Sequence, residues 1–370
     1  MVVTVLHCCA GNLYGGIERI VAECAADRHL VPHMLPRFAT CFDGRLAGEL
    51  DASGAGCTQL GEVRVSRPHT IVRARRRLSD LVQADRPAAA ICHSPWTYGL
   101  AAPVLRRAAI PTILWVHDRL CGRTWSERWA TLTRPAAIIS NSHYTAVSIS
   151  PVFPAVRSAV VYAPVPAPSR ITAGERQQIR ATLGIPDAST CVLVLAARFE
   201  RWKGHVELLT ALADVSGDWR LWIAGAPQKG GEADYLSGLR SQCTARGLAD
   251  RVQFLGERRD VPALLQAADV HCQPNTTPEP FGLAFIEALY AGLPVVTTDM
   301  GGAAEILTRE CGVLLPPGDQ AALRTALRRL IENPDARRLL GAAGPRRALA
   351  LCDPTRQLTQ LASVVETVAA

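Results

Sequence analysis

Short apolar segments alternate with longer segments of helical periodicity from one end of the chain to the other. In the first part of the chain, five apolar segments have the length and continuity of buried parallel strands: residues 2–8, 88–93, 112–117, 136–140 and 159–162. Helical periodicity separates them at residues 16–26, 71–84 and 97–109. This alternation predicts a parallel sheet that is covered by helices.

A proline-rich segment ends this first part, and the alternation then begins again. Residues 162–169 contain three prolines and are the predicted linker. Beyond them, strands are predicted at residues 191–196, 220–224, 252–255, 270–273, 295–298 and 313–315. The pattern predicts an α/β protein with two Rossmann-like, doubly wound domains that face each other across a cleft, 1–165 and 166–350. The last helix, within residues 351–370, could pack on either domain.

Composition excludes several classes of protein. The 370 residues are 48% hydrophobic and 20% charged, which suits two large cores and excludes disordered, collagen-like and small disulfide-rich chains. No apolar run approaches the ~18–20 residues of a membrane-spanning helix, and residues 1–9 do not resemble a signal peptide. Twelve cysteines lack C-x-x-C or zinc-ligand spacing, so we expect reduced thiols and no bound metal. We expect a soluble protein of the cytoplasm that needs no cofactor.

The net charge of +7 is confined to the first half of the chain. Residues 1–165 contain 18 basic and 11 acidic residues, whereas residues 166–370 contain 22 of each. Four of these basic residues form a cluster: Arg73, Arg75, Arg76 and Arg77. Such a cluster is either a solvated helix face or a surface for anionic lipid, nucleic acid or a phosphorylated substrate. Nucleic acid is the least supported partner because no aromatic platform accompanies the arginines.

One short motif follows the first predicted strand of each domain. Gly15 and Gly16 open the first helix, where glycines let a ligand approach the backbone and the helix N-terminus favours an anion. Arg198 and Lys203, with Gly204 at the start of the next helix, could converge on a diphosphate. Each motif alone is equally compatible with an ordinary turn or a pair of solvated cations.

The most specific motif lies between residues 278 and 294. Glu287 is the only charged residue from 281 to 298, and a carboxylate in so apolar a helix is costly unless a partner occupies it. It could accept hydrogen bonds from two neighbouring hydroxyls of a sugar. Glu279 precedes the helix and could hold a second sugar, while the amides of Gly282 and Leu283 could face a phosphate. The alternative is a buried glutamate satisfied by a neighbour, together with an acidic N-terminal cap.

Four motifs stand in order along the chain at compatible spacings: Gly15-Gly16-x-Glu18, Arg198…Lys203-Gly204, Glu279-x7-Glu287 and Gly301-Gly302-Ala-Ala-Glu305. In this combination the chain resembles the retaining GT-B glycosyltransferases of family 4 (glycosyl transferases group 1). The resemblance covers nearly the whole chain and is weakest from residue 31 to 66. It implies that the C-terminal domain holds a nucleotide-sugar donor and that the N-terminal domain holds the acceptor. It also implies that the last helix packs back on the N-terminal domain.

The resemblance further implies a role for each matched residue. Arg198 and Lys203 would bind the diphosphate, Glu287 the ribose and Glu279 the transferred sugar. The implied donor-binding residues are Gly15, Gly16, Arg198, Lys203, Arg258, Glu279, Phe281, Gly282, Leu283 and Glu287. The implied catalytic residues are His117, beside the reacting face of the sugar, with Arg198, Lys203 and Glu279. Trp96 and Asp118 are candidates for acceptor contact.

The resemblance implies retention by front-face attack without a metal, and no D-x-D motif occurs in the sequence. A UDP-sugar is the expected donor and a GDP-sugar the next alternative. Three hypotheses stay open, two of which differ in the acceptor. It could be a lipid-linked or envelope polysaccharide acceptor met at an anionic membrane, or a small soluble natural product. The chain could also be an inactive protein that binds a nucleotide-sugar. A nicotinamide dehydrogenase is disfavoured because the dinucleotide fingerprint is missing.

Overall fold

The computed structural model describes residues 2–185 and 187–370. They divide into two compact units, of which the second comprises Ala167–Leu351. The first unit runs to Pro166 and also includes Cys352–Ala370. Of the described helices, none is both long and apolar enough to cross a membrane.

The first unit is built on a seven-stranded parallel sheet in the order β3-β2-β1-β4-β5-β6-β7. Its strands are β1 Val3–Cys9, β2 Met34–Thr40, β3 Cys57–Gln59, β4 Ala89–Cys92, β5 Thr112–Val116, β6 Ala137–Ser140 and β7 Ser158–Val160. Its helices before the boundary are α1 Gly16–Ala26, α2 Arg45–Ala52, α3 Pro68–Asp85, α4 Pro95–Arg107, α5 Trp125–Ala130, α6 His143–Ala146 and α7 Ile149–Val152, with a 3-10 turn at Arg28–Leu30.

Helices cover both faces of this sheet because successive strand residues point to opposite sides. Leu6 and Cys8 pack into a core that includes Leu78 of α3. Cys9 lies in a separate core that includes Val21 of α1. The near-continuous apolar strands of the sequence are therefore buried on both faces, as expected for a parallel sheet.

The second unit contains a six-stranded parallel sheet in the order β10-β9-β8-β11-β12-β13. Its strands are β8 Cys191–Ala196, β9 Trp219–Ala224, β10 Val252–Gly256, β11 Val270–Gln273, β12 Val295–Thr298 and β13 Gly312–Leu315. Its helices are α8 Ala173–Thr182, α9 His205–Ala213, α10 Glu232–Ala245, α11 Val261–Ala267, α12 Leu283–Tyr290, α13 Ala303–Ile306, α14 Gln320–Glu332, α15 Pro334–Ala342 and α16 Gly344–Cys352, with a 3-10 turn at Arg201–Lys203. The prediction of two Rossmann-like α/β sheets is confirmed.

The last helix, α17 Pro354–Ala369, belongs to the first unit. The side-chain oxygen of Gln357 accepts a hydrogen bond from the Tyr162 amide at 3.0 Å. The Gln360 amide donates to the carbonyl of Val160 at 2.7 Å. These contacts attach α17 beside the end of β7.

Two strands were absent from the prediction, β2 and β3. In β2 the side chains of Leu35 and Arg37 are exposed and alternate with buried ones, and a proline lies between them. Pro36 is tolerated because β3 pairs only with the last three residues of β2, Phe38–Thr40, so the proline lies on an unpaired edge. The segment therefore lacks the continuous apolar pattern of the other strands.

Candidate functional site

A lysine–glutamate pair lies at the carboxyl edge of the second unit's sheet. The Lys203 ammonium is 2.7 Å from Glu279 Oε2, and the two side chains are only 14% and 11% exposed. Lys203 is placed by the 3-10 turn after β8, and Glu279 by the loop between β11 and α12. An ammonium group of this kind can pair with a phosphate, and a carboxylate can accept hydrogen bonds from sugar hydroxyls.

Two residues that sequence reasoning missed complete the environment of Glu279. The side-chain amides of Gln273 and Asn275 donate to the same Oε2 atom at 3.2 and 3.3 Å. Hydroxyls at the end of β12 fix this segment, since Thr297 and Thr298 donate to the carbonyls of residues 273 and 275, each at 2.7 Å. The sequence pattern that could have identified these two residues is a pair of amide side chains at the end of a buried strand, where ligands of such sheets bind.

Two glycines are required for the close approach of these loops. Gly204 has φ +79°, and a Cβ atom there would lie 2.0 Å from the carbonyl oxygen of Pro274. Gly301 has φ +65°, and its Cβ would lie 2.2 Å from the carbonyl oxygen of Glu279. Since that same oxygen accepts the amide of Gly302 at 2.7 Å, any side chain at 301 would displace the backbone of Glu279.

Helix α12 places the other residues of the glutamate motif. Gly282, with φ +113°, is its N-cap, and Leu283 is its first residue. Phe281 is buried, and Glu287 is half-buried between the buried Ile286 and Ala288. Glu287 therefore shares the partly accessible face of α12 with Leu283, four residues earlier.

The two predicted arginines are each paired with a carboxylate of their own loop. Arg198 Nη2 is 2.9 Å from Glu200 Oε1. Arg258 donates to both oxygens of Asp260 at 2.8 and 2.6 Å, and this bidentate pairing lowers the pKa of Asp260. Lys203 and Glu279 are thus brought into direct contact, whereas Arg198 and Arg258 are held by local partners.

In the first unit, the predicted glycines begin α1. Gly15 is the N-cap and Gly16 the first helical residue. The amide of Gly15 donates to Glu18 Oε2 at 3.0 Å, and Glu18 is itself buried. A buried carboxylate therefore fixes the backbone of this turn.

His117 directly follows β5, and it belongs to a row of three histidines. Its Nε2 is 3.3 Å from Nδ1 of His93, whose Nε2 is 2.9 Å from Nδ1 of His7. Burial lowers the pKa of His117 to about 3 and that of His7 to about 4. For His93, burial and the two neighbouring rings lower the pKa well below its usual value. We refer to His7, His93 and His117 as the histidine ladder.

The two candidate acceptor residues have different surroundings. Asp118 is exposed, and its Oδ1 accepts the amide of Arg119 at 2.7 Å. Trp96 packs against Phe42 with ring centroids 6.5 Å apart. Both rings line a cavity of about 330 Å³ whose walls are Ala10, Asn12, Phe42, Val63, Val65, Ser94 and Trp96. An apolar cavity with a few polar groups is typical of a site for a small organic group or a sugar.

Part of the arginine cluster is structural. Arg75 donates to the carbonyls of Gly99 and Leu100 at 3.1 and 3.0 Å, which ties α3 to α4. Arg75 and Arg76 also line an open groove of about 570 Å³ together with Arg107. The cluster therefore both ties α3 to α4 and contributes positive charge to this groove.

The second unit is similar to a known family, and the chain is similar to curated proteins. Residues 175–347 match the family model described as glycosyl transferases group 1. Over 192 residues the chain is 38% identical to a phosphatidyl-myo-inositol mannosyltransferase of Mycobacterium leprae, covering 50% of this chain and 49% of that protein. Over 166 residues it is 33% identical to the lipopolysaccharide core biosynthesis glycosyltransferase LpsD of Rhizobium meliloti, covering 45% and 46%. The matched stretch thus spans about half of each relative.

The whole chain also resembles solved structures. The crystal structure of Anabaena HepE in complex with UDP and glucose has a TM-score of 0.87 and 22% identity, covering 99% of this chain and 100% of that one. The fold is therefore that of the GT-B glycosyltransferases. The resemblance to GT-B glycosyltransferases that the motifs indicated is confirmed, and the match to glycosyl transferases group 1 extends over residues 175–347.

Proposed function

We propose that the protein is a retaining, metal-independent glycosyltransferase that moves a hexose or N-acetylhexosamine from a nucleotide-sugar to an acceptor hydroxyl. The observation that carries this proposal is the Lys203–Glu279 pair, which lies within the family-matched segment at the carboxyl edge of its sheet. A UDP-sugar is the proposed donor and a GDP-sugar the alternative.

In this mechanism, the chain stabilises charge and positions groups. Lys203 and Arg198 contact the diphosphate and offset the negative charge that grows on the leaving nucleotide. Glu279 accepts hydrogen bonds from the transferred sugar, and Glu287 holds the ribose. The acceptor hydroxyl attacks the anomeric carbon on the side from which the nucleotide leaves, and a donor phosphate oxygen takes its proton. Positioning and cationic stabilisation supply most of the rate enhancement.

The proposed acceptor is a lipid-linked sugar or a glycolipid in envelope biosynthesis, met at the cytoplasmic face of the membrane. Two observations support it. Two of the matched relatives are named a phosphatidyl-myo-inositol mannosyltransferase and a lipopolysaccharide core biosynthesis glycosyltransferase, and the excess positive charge lies in the first half of the chain. The cavity beside Trp96 would contact the accepting sugar.

Donor binding is the first test of this function. Thermal unfolding is followed with UDP, GDP, ADP and dTDP, each with and without EDTA. A nucleotide at ~100 times its dissociation constant adds about 2.7 kcal/mol to the stability of the folded state. Stabilisation by one nucleotide, unchanged by EDTA, supports a metal-independent donor site and names its class. No stabilisation by any of the four contradicts the proposal. Transfer of a radiolabelled sugar to a membrane extract then distinguishes an enzyme from an inactive binding protein.

A further inference from the structure

The histidine ladder crosses three neighbouring strands of the first unit. His7 lies in β1, His93 directly follows β4 and His117 directly follows β5. Adjacent rings are stacked, with interplanar angles of 21° between His7 and His93 and 15° between His93 and His117. Trp115 stacks on both His93 and His117, with centroids 5.2 and 5.3 Å away. The three rings therefore form one continuous hydrogen-bonded row.

Both ends of the row are buried nitrogens. Among residues 2–185 and 187–370, no atom pairs with Nε2 of His7 or with Nδ1 of His117. His7 is fully buried, and its ring is tilted by 36° against that of Phe38, with centroids 5.2 Å apart. Within the same described residues, no carboxylate forms an ion pair with any of the three rings. A cationic ring would therefore be both desolvated and uncompensated, so the row is neutral at physiological pH.

Neutrality couples the positions of the three protons. A neutral imidazole carries one N–H and one lone pair, so the central ring of His93 must donate one of its two hydrogen bonds and accept the other. If His93 donates from Nδ1, then His7 donates from Nδ1 and the proton of His117 is also on Nδ1. If His93 donates from Nε2, all three protons are on Nε2. The row has these two arrangements, and one ring cannot change without the others.

The two arrangements differ in what they leave at each end. With protons on Nε2, the unpaired N–H of His7 remains buried against Phe38. With protons on Nδ1, the inner end carries only a lone pair and the unpaired N–H is at His117, beyond the end of β5. Orphaned buried N–H groups are the rarer and costlier case. His117 is partly exposed whereas His7 is fully buried, so a ligand oxygen can approach only the outer end, where Nδ1 is covered in this structure.

We propose that His7 and His93 are positioning residues, which hold the proton of His117 on Nδ1 so that this ring donates a hydrogen bond to an oxygen of the bound sugar. This inference rests on the proposed function for its substrate. It also accounts for the presence of three histidines toward the carboxyl ends of neighbouring parallel strands, where most residues are apolar. A role in packing alone would require the rings but not their nitrogens.

The position of the proton is measured directly in the full chain. Histidine-selective 15N labelling and long-range 1H–15N correlation distinguish Nδ1–H from Nε2–H for each ring, with assignment by single substitutions. We expect neutral rings with the proton on Nδ1 at all three ladder positions. A proton on Nε2 of His117, or a cationic ladder ring at neutral pH, overturns the proposal. This measurement needs no variant that perturbs folding beyond those used for assignment.

A matched pair of variants tests the coupling. His7→Gln keeps an N–H donor for Nε2 of His93, whereas His7→Phe keeps an aromatic ring and removes the donor. We expect His7→Phe to give mixed tautomers at His117 and to reduce kcat/KM about tenfold, the value of one lost hydrogen bond. His7→Gln should retain the Nδ1 proton and stay within about twofold of the wild type. The signals of His205 and His271, which are buried in the second unit, should not change in either variant.

The results of these experiments distinguish a failure of the positioning role from a failure of the proposed glycosyltransferase function. Equal tautomer populations and equal activity in His7→Phe and His7→Gln overturn the positioning role, because packing alone then accounts for the ladder. If the wild type transfers no sugar while its ladder protons are on Nδ1, the proposed function fails and the proton assignment stands.

Discussion

At the scale of single residues, the proposed chemistry depends on one ammonium group. Lys203 is one of only two lysines among 40 basic residues, and its charge is matched by Glu279 at 2.7 Å. A diphosphate that approaches this lysine adds a second anion to a site where water is largely excluded. Electrostatic stabilisation of a leaving group is strongest in such a site.

Replacing Lys203 should therefore remove most of the activity. We expect Lys203→Ala and Lys203→Gln to lower kcat about 100-fold or more, because the charge on the leaving nucleotide is no longer offset. Lys203→Gln retains a donor for Glu279, so its Tm should be closer to that of the wild type than the Tm of Lys203→Ala. Steady-state transfer kinetics and thermal unfolding measure the two effects. The control is Arg220→Ala, which removes a surface cation paired with Asp218. Near-normal turnover of Lys203→Gln would exclude the diphosphate role.

Residue types and spacing indicated Lys203 and Glu279 but not all of their surroundings. The sequence alone shows that lysine is rare in this arginine-rich chain and that a glutamate precedes an apolar helix. Gln273 and Asn275 are recognisable only in three dimensions, where the loop after β11 brings Glu279 back against them. His7 and His93 were missed for a related reason, since the contact between them depends on the register of β1 against β4.

At the scale of elements, the loop that carries Glu279 is held by a backbone bridge to Gly301. The glycine has no room for a Cβ atom, which would lie 2.2 Å from the Glu279 carbonyl oxygen. Its positive φ adds a cost of its own for any other residue. The Gly301-Gly302 motif is therefore a requirement of how two loops meet.

A pair of glycine variants separates conformation from crowding. Gly318 has φ +76° and nothing within 4 Å of a built Cβ, whereas Gly301 has φ +65° and the close carbonyl. We expect Gly318→Ala to cost about 1 kcal/mol of stability and Gly301→Ala to cost about 2 kcal/mol more, with loss of transfer activity. Denaturant unfolding and activity assays give both values. Equal destabilisation of the two variants would show that the backbone at the Glu279–Gly301 bridge can move to accommodate a Cβ atom without loss of stability.

The elements that could be predicted from sequence are those whose burial is uniform. Strands β8, β11 and β12 were predicted with their observed bounds, and all of their residues are buried except Ala196 at the end of β8. In contrast, β2 presents two exposed side chains and a proline, and β3 has three residues with no apolar repeat. Pairing with neighbours, rather than intrinsic preference, makes these two segments strands.

At the scale of the whole molecule, buried histidines make stability depend on pH. His205 is fully buried, no described atom pairs with either ring nitrogen, and burial lowers its pKa from 6.5 to about 4. The unfolded chain therefore binds a proton at this residue that the folded chain excludes. The contribution is fully present above the unfolded pKa and is lost as the pH falls toward the folded pKa.

Replacing His205 should make the free energy of unfolding depend less on pH. Between about pH 7 and about pH 5, the wild type should lose about 2 kcal/mol of stability through this residue, and His205→Leu should lose that much less. Urea unfolding at the two pH values measures the difference, and comparison with the wild type cancels the carboxylates. His69→Ala, at an exposed position, is the control and should leave the slope unchanged. An unchanged slope in His205→Leu would mean that the folded chain binds a proton at His205 as readily as the unfolded chain does.

The proposed lipid-linked acceptor, together with the uneven charge of the chain, predicts that the first unit binds anionic membranes. All of the +7 net charge lies in residues 1–165, and Arg76 and Arg107 line an open groove there beside the half-exposed Val72. Arginines around apolar side chains favour anionic lipid surfaces at about 1 kcal/mol for each charge. We expect the protein to float with vesicles that contain phosphatidylserine at physiological salt and not with neutral vesicles.

Charge reversal in the groove tests whether this surface carries the binding. The double variant Arg76→Glu/Arg107→Glu should lose flotation by about 100-fold or more, since four units of charge change at the contact. The matched control Arg220→Glu/Arg328→Glu makes the same change of net charge in the second unit and should still float. Equal loss in both variants would mean that net charge alone attracts the protein. If the wild type does not bind anionic vesicles, a small soluble acceptor becomes the better account, because no membrane surface would then bring a lipid-linked sugar to the cavity beside Trp96.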